Sequence, residues 1–167
     1  VVFVLGPWRL PANVTRAWCV FEVLACVESG APASVALLPD EEAELRATLA
    51  SRAFTADVPD AVFGRIDVWM CKATKDSDRD AILALIGNRL DVSDAVLAPI
   101  KRKYLDVALD VAAHHSSAKT ATLATAMAYR SVATLLESMG GDPHEALTWA
   151  EKACAVVTGL PSPPDSE

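Results

Sequence analysis

The chain is 167 residues long, with 52% hydrophobic and 22% charged residues, which is enough to bury the core of one domain, or of one domain with a small appendage. Its 15 Lys and Arg against 22 Asp and Glu give a formal net charge of -7, which disfavours binding to nucleic acid or to an anionic membrane surface. No apolar run approaches the ~20 residues that span a bilayer, so a transmembrane helix is excluded as well.

The chain opens on a continuous apolar run rich in β-branched side chains, Val1–Leu5. Such a run is typical of a strand that is buried on both faces, as in a parallel sheet. Because a central strand needs a neighbour on each edge, we expect that the chain is a fragment whose upstream strands are missing. A piece with one bare strand edge is then expected to self-associate through that edge.

A helix, a second strand and another helix follow the opening strand. Asn13 or Thr15 can cap the first helix, which Gly30 ends, and the helix is apolar nearly all round, which predicts packing on more than one side. The next strand covers Ser34–Leu38, and strand, helix and strand at this spacing indicate a right-handed βαβ unit. Asp40 then caps a helix that runs to about residue 53.

Between about residue 53 and residue 91, the sequence pattern predicts both helical and strand segments. A short helical turn is predicted near 61–63 and a third, edge strand over 65–69. Ser77-x-x-Asp80 resembles a capping box and opens a helix that runs to about residue 90. The repeated alternation of strand and helix predicts a partial flavodoxin-like α/β domain over 1–91, with two or three short parallel strands flanked by helices.

From residue 92 to 160 the sequence predicts helices only. Apolar residues recur at helical spacing over 96–111 and again over 120–139. Asp142-Pro143-His144-Glu145 supplies the N-cap, the N1 proline and the N3 glutamate of a last helix. The predicted fold class is therefore α/β followed by all-α, and the Pro- and Ser-rich residues 161–167 are predicted to be a disordered linker.

Cysteine and histidine usage gives no sign of a disulfide framework or a metal site. The four cysteines are Cys19, Cys26, Cys71 and Cys154. They form no C-x-x-C pair and mostly lie in apolar surroundings, which favours reduced thiols in a cytoplasmic protein. The adjacent His114 and His115 point about 100° apart on a helix and are a poor clamp for a metal ion. We therefore expect a cytoplasmic protein without a bound metal or cofactor.

Residues 1–90 resemble the latter half of a TIR (Toll/interleukin-1 receptor) domain. The resemblance rests on Val1–Leu5, the loop after it, and Arg16–Leu24, which contains a Trp-Cys-x-x-Glu pattern; the next strand and helix also fall where that family has them. The sequence is similar, too, to TIR-like modules of protist and algal proteins that carry tetratricopeptide repeats and are often labelled kinesin-light-chain-like. The residues shared with that group are Gly6-Pro7-Trp8, Arg16, Trp18, Cys19, Phe21, Glu22, Ile66-Asp67, Asp80 and Ile82.

A helix pair at about 120–158 resembles one tetratricopeptide repeat (TPR), in which alanines let two antiparallel helices approach closely. The residues that carry the resemblance are Ala133, Leu136, Gly140, Ala146, Ala150 and Ala153. The sequence departs from the repeat by one extra residue in its Gly-Gly-Asp-Pro turn, and arrays need about three repeats to bury a core. The resemblance implies a groove that binds a partner peptide, and the alternative for each of its residues is an ordinary solvated helix face. In that register the groove residues are Arg130, Thr134, Glu137 and Ser138.

The TIR resemblance makes Glu22 a candidate catalytic residue. In NAD-cleaving TIR domains the glutamate of this helix is the catalytic carboxylate, and a fixed carboxylate stabilises the positive charge that builds on the ribose as the nicotinamide–ribose bond breaks. Burial against Trp18 and Phe21 would raise the pKa of Glu22. Trp8 and Trp18 are candidates for stacking the nucleotide, although packing against the sheet is the commoner role of such residues. NAD would then be a substrate of the full-length parent.

Two hypotheses about function follow. The favoured one is a non-catalytic scaffold for signalling, in which the TIR-like part docks like modules and the helical part binds protein or peptide partners. Glu22 is then a structural carboxylate, bonded to backbone or paired with Arg9 or Arg16. The alternative is a full-length parent that hydrolyses NAD through Glu22. The sequence has no glycine-rich phosphate cradle, which favours the first hypothesis. It also has no serine placed in a nucleophile elbow, so a hydrolase triad is discarded.

Overall fold

A computed structural model describes residues 1–55, 57–64, 67–87, 92–118 and 120–160. A short parallel sheet lies near the N-terminus and helices follow it, which confirms the predicted order of an α/β part before an all-α part. The chain divides into two compact units, one of residues 1–45 and 57–104 and the other of 46–56 and 105 onward.

The division between the units lies between residues 104 and 105, and the domain boundary predicted after residue 91 stays a prediction. The division falls inside a continuous helix, α5 (Val92–Ser116), because the first half of that helix packs with the strands. Phe3 and Leu5 share the wall of a small cavity with Pro99 and Ile100. The first part of α5 thus belongs to the same compact unit as the strands.

The sheet has two parallel strands, β1 (Val2–Leu5) and β2 (Ser34–Leu37). Helix α1 (Ala17–Ser29) connects them, so the predicted βαβ order is confirmed. Burial alternates along β1: Phe3 and Leu5 are buried, whereas Val2 and Val4 are 62% and 46% exposed. The expectation of a strand buried on both faces is therefore wrong for β1, and one face of this sheet is solvated.

The second edge of β1 pairs with no strand in the described part of the chain. The carbonyl of Val1 accepts a hydrogen bond from Ser34 N (3.0 Å). Because alternate residues of a parallel strand face the partner strand, Val2 and Val4 direct their main-chain groups to the opposite edge. The side chain of Asn13 donates to Val4 O there, at 2.7 Å. This is the edge that the sequence predicted to be bare; Asn13 occupies one of its carbonyls, and self-association through it stays a prediction.

The C-terminal end of helix α1 lies where the sequence predicted it, whereas the N-terminal end differs from the prediction. Gly30 adopts a left-handed conformation (φ 64°) after the last turn, which glycine does without strain. At the other end, a 3-10 helix over Ala12–Thr15 occupies the predicted capping residues, and Arg16 is the N-cap without a side-chain capping bond. Trp18 and Val27 are exposed, so α1 packs on one side only, contrary to expectation.

Three further helices complete the first part of the chain: α2 (Pro39–Leu49), α3 (Asp57–Phe63) and α4 (Asp76–Ile86). The predicted third strand is not found where the chain is described. Residues 65–66 lie outside the described residues, and Asp67 caps a 3-10 helix, Val68–Met70, by accepting from Trp69 N at 2.9 Å. The predicted capping box of α4 is also wrong, because the helix begins one residue before Ser77.

Helices α6 (Leu123–Ser138) and α7 (Pro143–Gly159) form a hairpin in the second unit. Thr122 and Thr125 cap α6 reciprocally. The predicted start of α7 is confirmed, since Asp142 accepts from His144 N at 2.9 Å and Pro143 occupies the first turn. Between the helices, Gly140 takes a left-handed conformation (φ 66°), which makes the tight turn possible.

Helix α6 also fixes the segment that follows α2 within the same unit. Ser131, which is fully buried, donates from its hydroxyl to Leu49 O at 2.8 Å. The adjacent Arg130 donates from its guanidinium to Phe54 O at 2.6 Å. Leu49 is the last residue of α2, where a helix leaves its carbonyls without internal partners, and Phe54 lies five residues further along the chain. None of the helices in the described ranges combines the length and the apolar character that crossing a bilayer requires.

Candidate functional site

The carboxyl end of the sheet is where open α/β folds bind their ligands, and in this chain the loop after β1 is bonded there to α2. After β1 the backbone N–H of Trp8 donates to Glu41 Oε2 at 2.7 Å. The next residue, Arg9, donates from Nε to Glu44 Oε1 at 3.2 Å. Two consecutive residues after β1 are thus tied to the first turns of α2, which follows β2.

Trp8 fills this end of the sheet. It is 1% exposed and packs edge-on against Tyr104 with ring centroids 6.4 Å apart, while the Arg9 guanidinium lies 4.2 Å from its ring centre. The hydroxyl of Tyr104 donates to the carbonyl of Trp8. Burial, and then the charge of Glu41, raise the pKa of Tyr104, which keeps the donor protonated. Trp8 is a core residue here, and it offers no open ring face for stacking a nucleotide.

Glu22 and Trp18 occupy the exposed side of α1. Glu22 is exposed, and within the described ranges it makes no hydrogen bond or ion pair; Arg9, one of its predicted partners, pairs with Glu44. The predicted burial of Glu22 against the aromatic rings is not found. Trp18 is 51% exposed and packs edge-on against Phe21, with ring centroids 6.4 Å apart. Packing of Trp18 against the sheet, the commoner role, is therefore not observed.

A cleft of about 230 Å³ lies beside Trp18, and we call it the Arg16–Lys72 cleft. Its lining residues are Arg16, Trp18, Lys72, Ala73 and Thr74. Two of these five are cationic and none is acidic, so the candidate carboxylate Glu22 lies outside it. Lys72 was not predicted as a site residue. It pairs with Arg16, the N-cap of α1, through an isolated parallel bridge, and no local sequence pattern predicts a contact between residues so far apart in the chain.

A second candidate site runs along the α6–α7 hairpin. One part, of about 310 Å³, is lined almost entirely by apolar atoms of both helices and by Arg130. Its lining residues are Ala126, Met127, Arg130, Ala150, Ala153, Cys154, Val157 and Thr158. A second part, of about 670 Å³, lies towards the turn between the helices. Its lining residues are Glu137, Gly140, Gly141, Pro143, Ala146, Leu147 and Ala150.

Ala150 lines both parts, and we call the two parts together the hairpin groove. Two of the four predicted groove residues, Arg130 and Glu137, line it at separate places. Thr134 lies between them on the same face of α6, one turn from each. Ser138 does not line the groove, and its hydroxyl donates to Leu135 O at 2.9 Å.

The groove side chains of α7 were missed from the sequence, although their spacing carried a signal. Leu147, Ala150, Cys154 and Val157 recur every three or four residues, which places them on one face of a helix. Leu147 and Val157 are 56% and 48% exposed. The buried Ala146 and Ala153 line the groove as well, so the groove side of α7 combines buried alanines with these two exposed apolar side chains.

Metal ligands are not grouped at any of these places. Among the described ranges of the chain, no three His, Cys, Asp or Glu side chains come close enough to hold a metal ion. The four cysteines are free thiols, of which Cys154 is exposed and lines the hairpin groove.

Comparison with known proteins gives no match: no family model, no curated protein and no solved structure is similar to this chain at a significant level. The TIR-like and TPR-like resemblances therefore stay predictions.

Proposed function

We propose that this chain is a protein-interaction module of a signalling scaffold, and that the hairpin groove is where it holds a partner. The observation that carries the proposal is the apolar side of α7 along the groove, where Leu147 and Val157 are about half exposed. Together with Met127 of α6 these side chains flank a depression lined mostly by apolar atoms. Exposed apolar surface of this kind is stabilised when a partner covers it.

An amphipathic helix is the partner that fits the hairpin groove best. From Ala126 to Glu137 the groove follows α6 for about 16 Å, at 1.5 Å per residue, which matches about three turns of a bound helix. A partner helix would place apolar residues every three or four positions against the alanine-lined floor, as in other helix-in-groove complexes. Arg130 and Glu137 favour an acidic residue of the partner at one place and a basic residue nearer the turn.

The sequence resemblances support the same function. A lone TPR-like helix pair leaves apolar faces that a neighbouring repeat or a partner must cover, and the alanines that carry the resemblance include Ala146, Ala150 and Ala153. In the proposed scaffold, the TIR-like part docks like modules, with the bare edge of β1 as one surface through which copies associate.

The proposal is tested with a fluorescein-labelled synthetic peptide that forms about three helical turns. The peptide carries leucines on one face, a glutamate to meet Arg130 and a lysine to meet Glu137. Fluorescence anisotropy with the full chain is expected to show saturable binding. Ala150→Arg places a long cation in the middle of the groove and is expected to weaken binding by about ten-fold or more.

The matched control is Ala155→Arg, which puts the same side chain at an exposed position of α7 outside the hairpin groove. It is expected to leave the affinity within about two-fold of the unmodified chain, because a peripheral charge contributes little. Equal loss of binding in both variants, or no saturable binding by the unmodified chain, would contradict the proposal.

A further inference from the structure

The Arg16–Lys72 cleft differs from the hairpin groove in that two cationic side chains and no acidic side chain line it. Arg16 and Lys72 are both exposed, and neither has an anionic partner in the described part of the chain. Two other cations of the same unit are paired, Arg9 with Glu44 and Lys103 with Glu42. In a chain with 22 acidic and 15 basic residues, two neighbouring cations without acids indicate a place where the anion comes from another molecule.

The backbone holds these two cations side by side. The amide nitrogen that follows Arg16 donates to Lys72 O at 2.9 Å, and Lys72 N donates to Thr15 O at 2.8 Å. Just before Lys72, the carbonyl of Cys71 accepts from Arg79 Nε at 3.0 Å. The spacing of the two charged side chains is therefore set by hydrogen-bonded backbone, which lowers the entropy that binding an anion would cost.

The start of α1 adds to the positive potential of the cleft. The first turn of α1 contains no acidic side chain, and its N-cap is Arg16. A helix N-terminus carries a partial positive charge, which acidic side chains in the first turn usually offset. In contrast, α2 has Asp40, Glu41 and Glu42 in its first turn. The positive end of α1 is thus reinforced by Arg16 and Lys72 and is offset by no side chain of its own first turn.

The size of the cleft and its aromatic wall favour a protein partner. A volume of about 230 Å³ is below the ~300–1,000 Å³ of sites that enclose small molecules. Trp18 forms the wall and is half exposed, and tryptophan and arginine are the residues that contribute most at protein interfaces. We infer that the Arg16–Lys72 cleft docks an acidic segment of a partner protein. Its carboxylates meet Arg16 and Lys72, and a neighbouring apolar side chain covers Trp18.

The test uses a fluorescein-labelled peptide of glutamates around a central leucine, titrated with the full chain and followed by anisotropy. Lys72→Glu is expected to weaken binding by about ten-fold, because it replaces attraction by repulsion at the cleft. Trp18→Ala is expected to weaken it by about ten-fold as well, through loss of the apolar contact. The matched control is Arg52→Glu, which makes the same change of charge at an exposed cation outside the cleft and is expected to change affinity by less than about two-fold.

Salt and competing anions decide between a protein segment and another ligand. Raising NaCl from about 0.05 to about 0.5 M is expected to weaken binding, since the contacts are exposed and screened. The proposal is overturned if Lys72→Glu and Arg52→Glu act equally, if salt has no effect, or if inorganic phosphate or AMP binds and the peptide does not. Arg16→Gln serves as a second variant if thermal melting shows Lys72→Glu to be unfolded. Ala150→Arg in the hairpin groove is expected to leave this binding unchanged, so failure of one proposal is distinguishable from failure of the other.

Discussion

Replacing Ser131 by alanine tests the link between α6 and the end of α2. Ser131 has no exposed surface, and its hydroxyl donates to Leu49 O at 2.8 Å. Alanine leaves no cavity of note, so the main effect is an unpaired carbonyl in a buried place. We expect the free energy of unfolding to fall by about 1–3 kcal/mol from this loss, reduced by about 0.5 kcal/mol because alanine is the better helix former.

Ser138→Ala is the matched control, since it makes the same change two turns further along the same helix. The Ser138 hydroxyl donates to Leu135 O within α6, at 2.9 Å and at a part-buried position. Its removal costs little, and the gain in helix propensity offsets most of that cost. The two variants are therefore expected to differ by about 1–3 kcal/mol in urea-induced unfolding. If Ser131→Ala is no less stable than Ser138→Ala, the hydrogen bond to Leu49 does not hold the segment.

Three further predictions concern the first unit. Tyr104→Phe is expected to destabilise the chain by about 1–3 kcal/mol near pH 7, since the Trp8 carbonyl loses a buried donor. Above pH ~10 the unmodified chain is expected to lose stability faster than this variant in pH-dependent urea unfolding. The reason is that its unfolded state releases the Tyr104 proton, while its folded state, with the raised pKa, retains it. If the free energy of unfolding falls equally steeply with pH in both proteins, this prediction is contradicted. Val2→Lys at the exposed edge of β1 is expected to reduce self-association in sedimentation, whereas an unmodified chain that stays monomeric at high concentration would refute the edge contact. Incubation with NAD is expected to release no nicotinamide above a protein-free blank, with or without Glu22→Ala, and turnover that depends on Glu22 would establish the enzyme instead.

Local signals in the sequence predicted the ends of several elements correctly. Asp142-Pro143 starts α7 and Gly30 ends α1, because each of these features acts through main-chain groups within a turn of the residue itself. The order of β1, α1 and β2 was also predicted from the sequence, since apolar runs and helical spacing specify the type of element. The start of α1 was predicted wrongly, because the residues expected to cap it form the 3-10 helix Ala12–Thr15 instead.

The two candidate tryptophans show why burial was harder to predict than secondary structure. Both stand in apolar surroundings in the sequence, yet Trp8 is 1% and Trp18 is 51% exposed. Trp8 is covered by Tyr104 and Arg9, and Tyr104 is distant in sequence. On α1 the buried face includes Ala17 and Val20, and Trp18 points about 100° away from Ala17. When a helix is apolar on nearly every side, its sequence does not predict which side will be buried in the core.

The TPR-like register predicted Arg130 and Glu137 as groove residues, and both line the hairpin groove. Helical spacing alone puts both side chains on the same face of α6, which is why this part of the candidate site was accessible from sequence. Helical spacing could not predict the hydrogen bond from Arg130 to the segment after α2, in which its guanidinium donates to Phe54 O at 2.6 Å. That bond fixes the side chain at the wall of the hairpin groove before any partner arrives, so an acidic residue of the partner would meet a preorganised cation. The same side chain therefore links a structural role, at the segment after α2, with the proposed binding role.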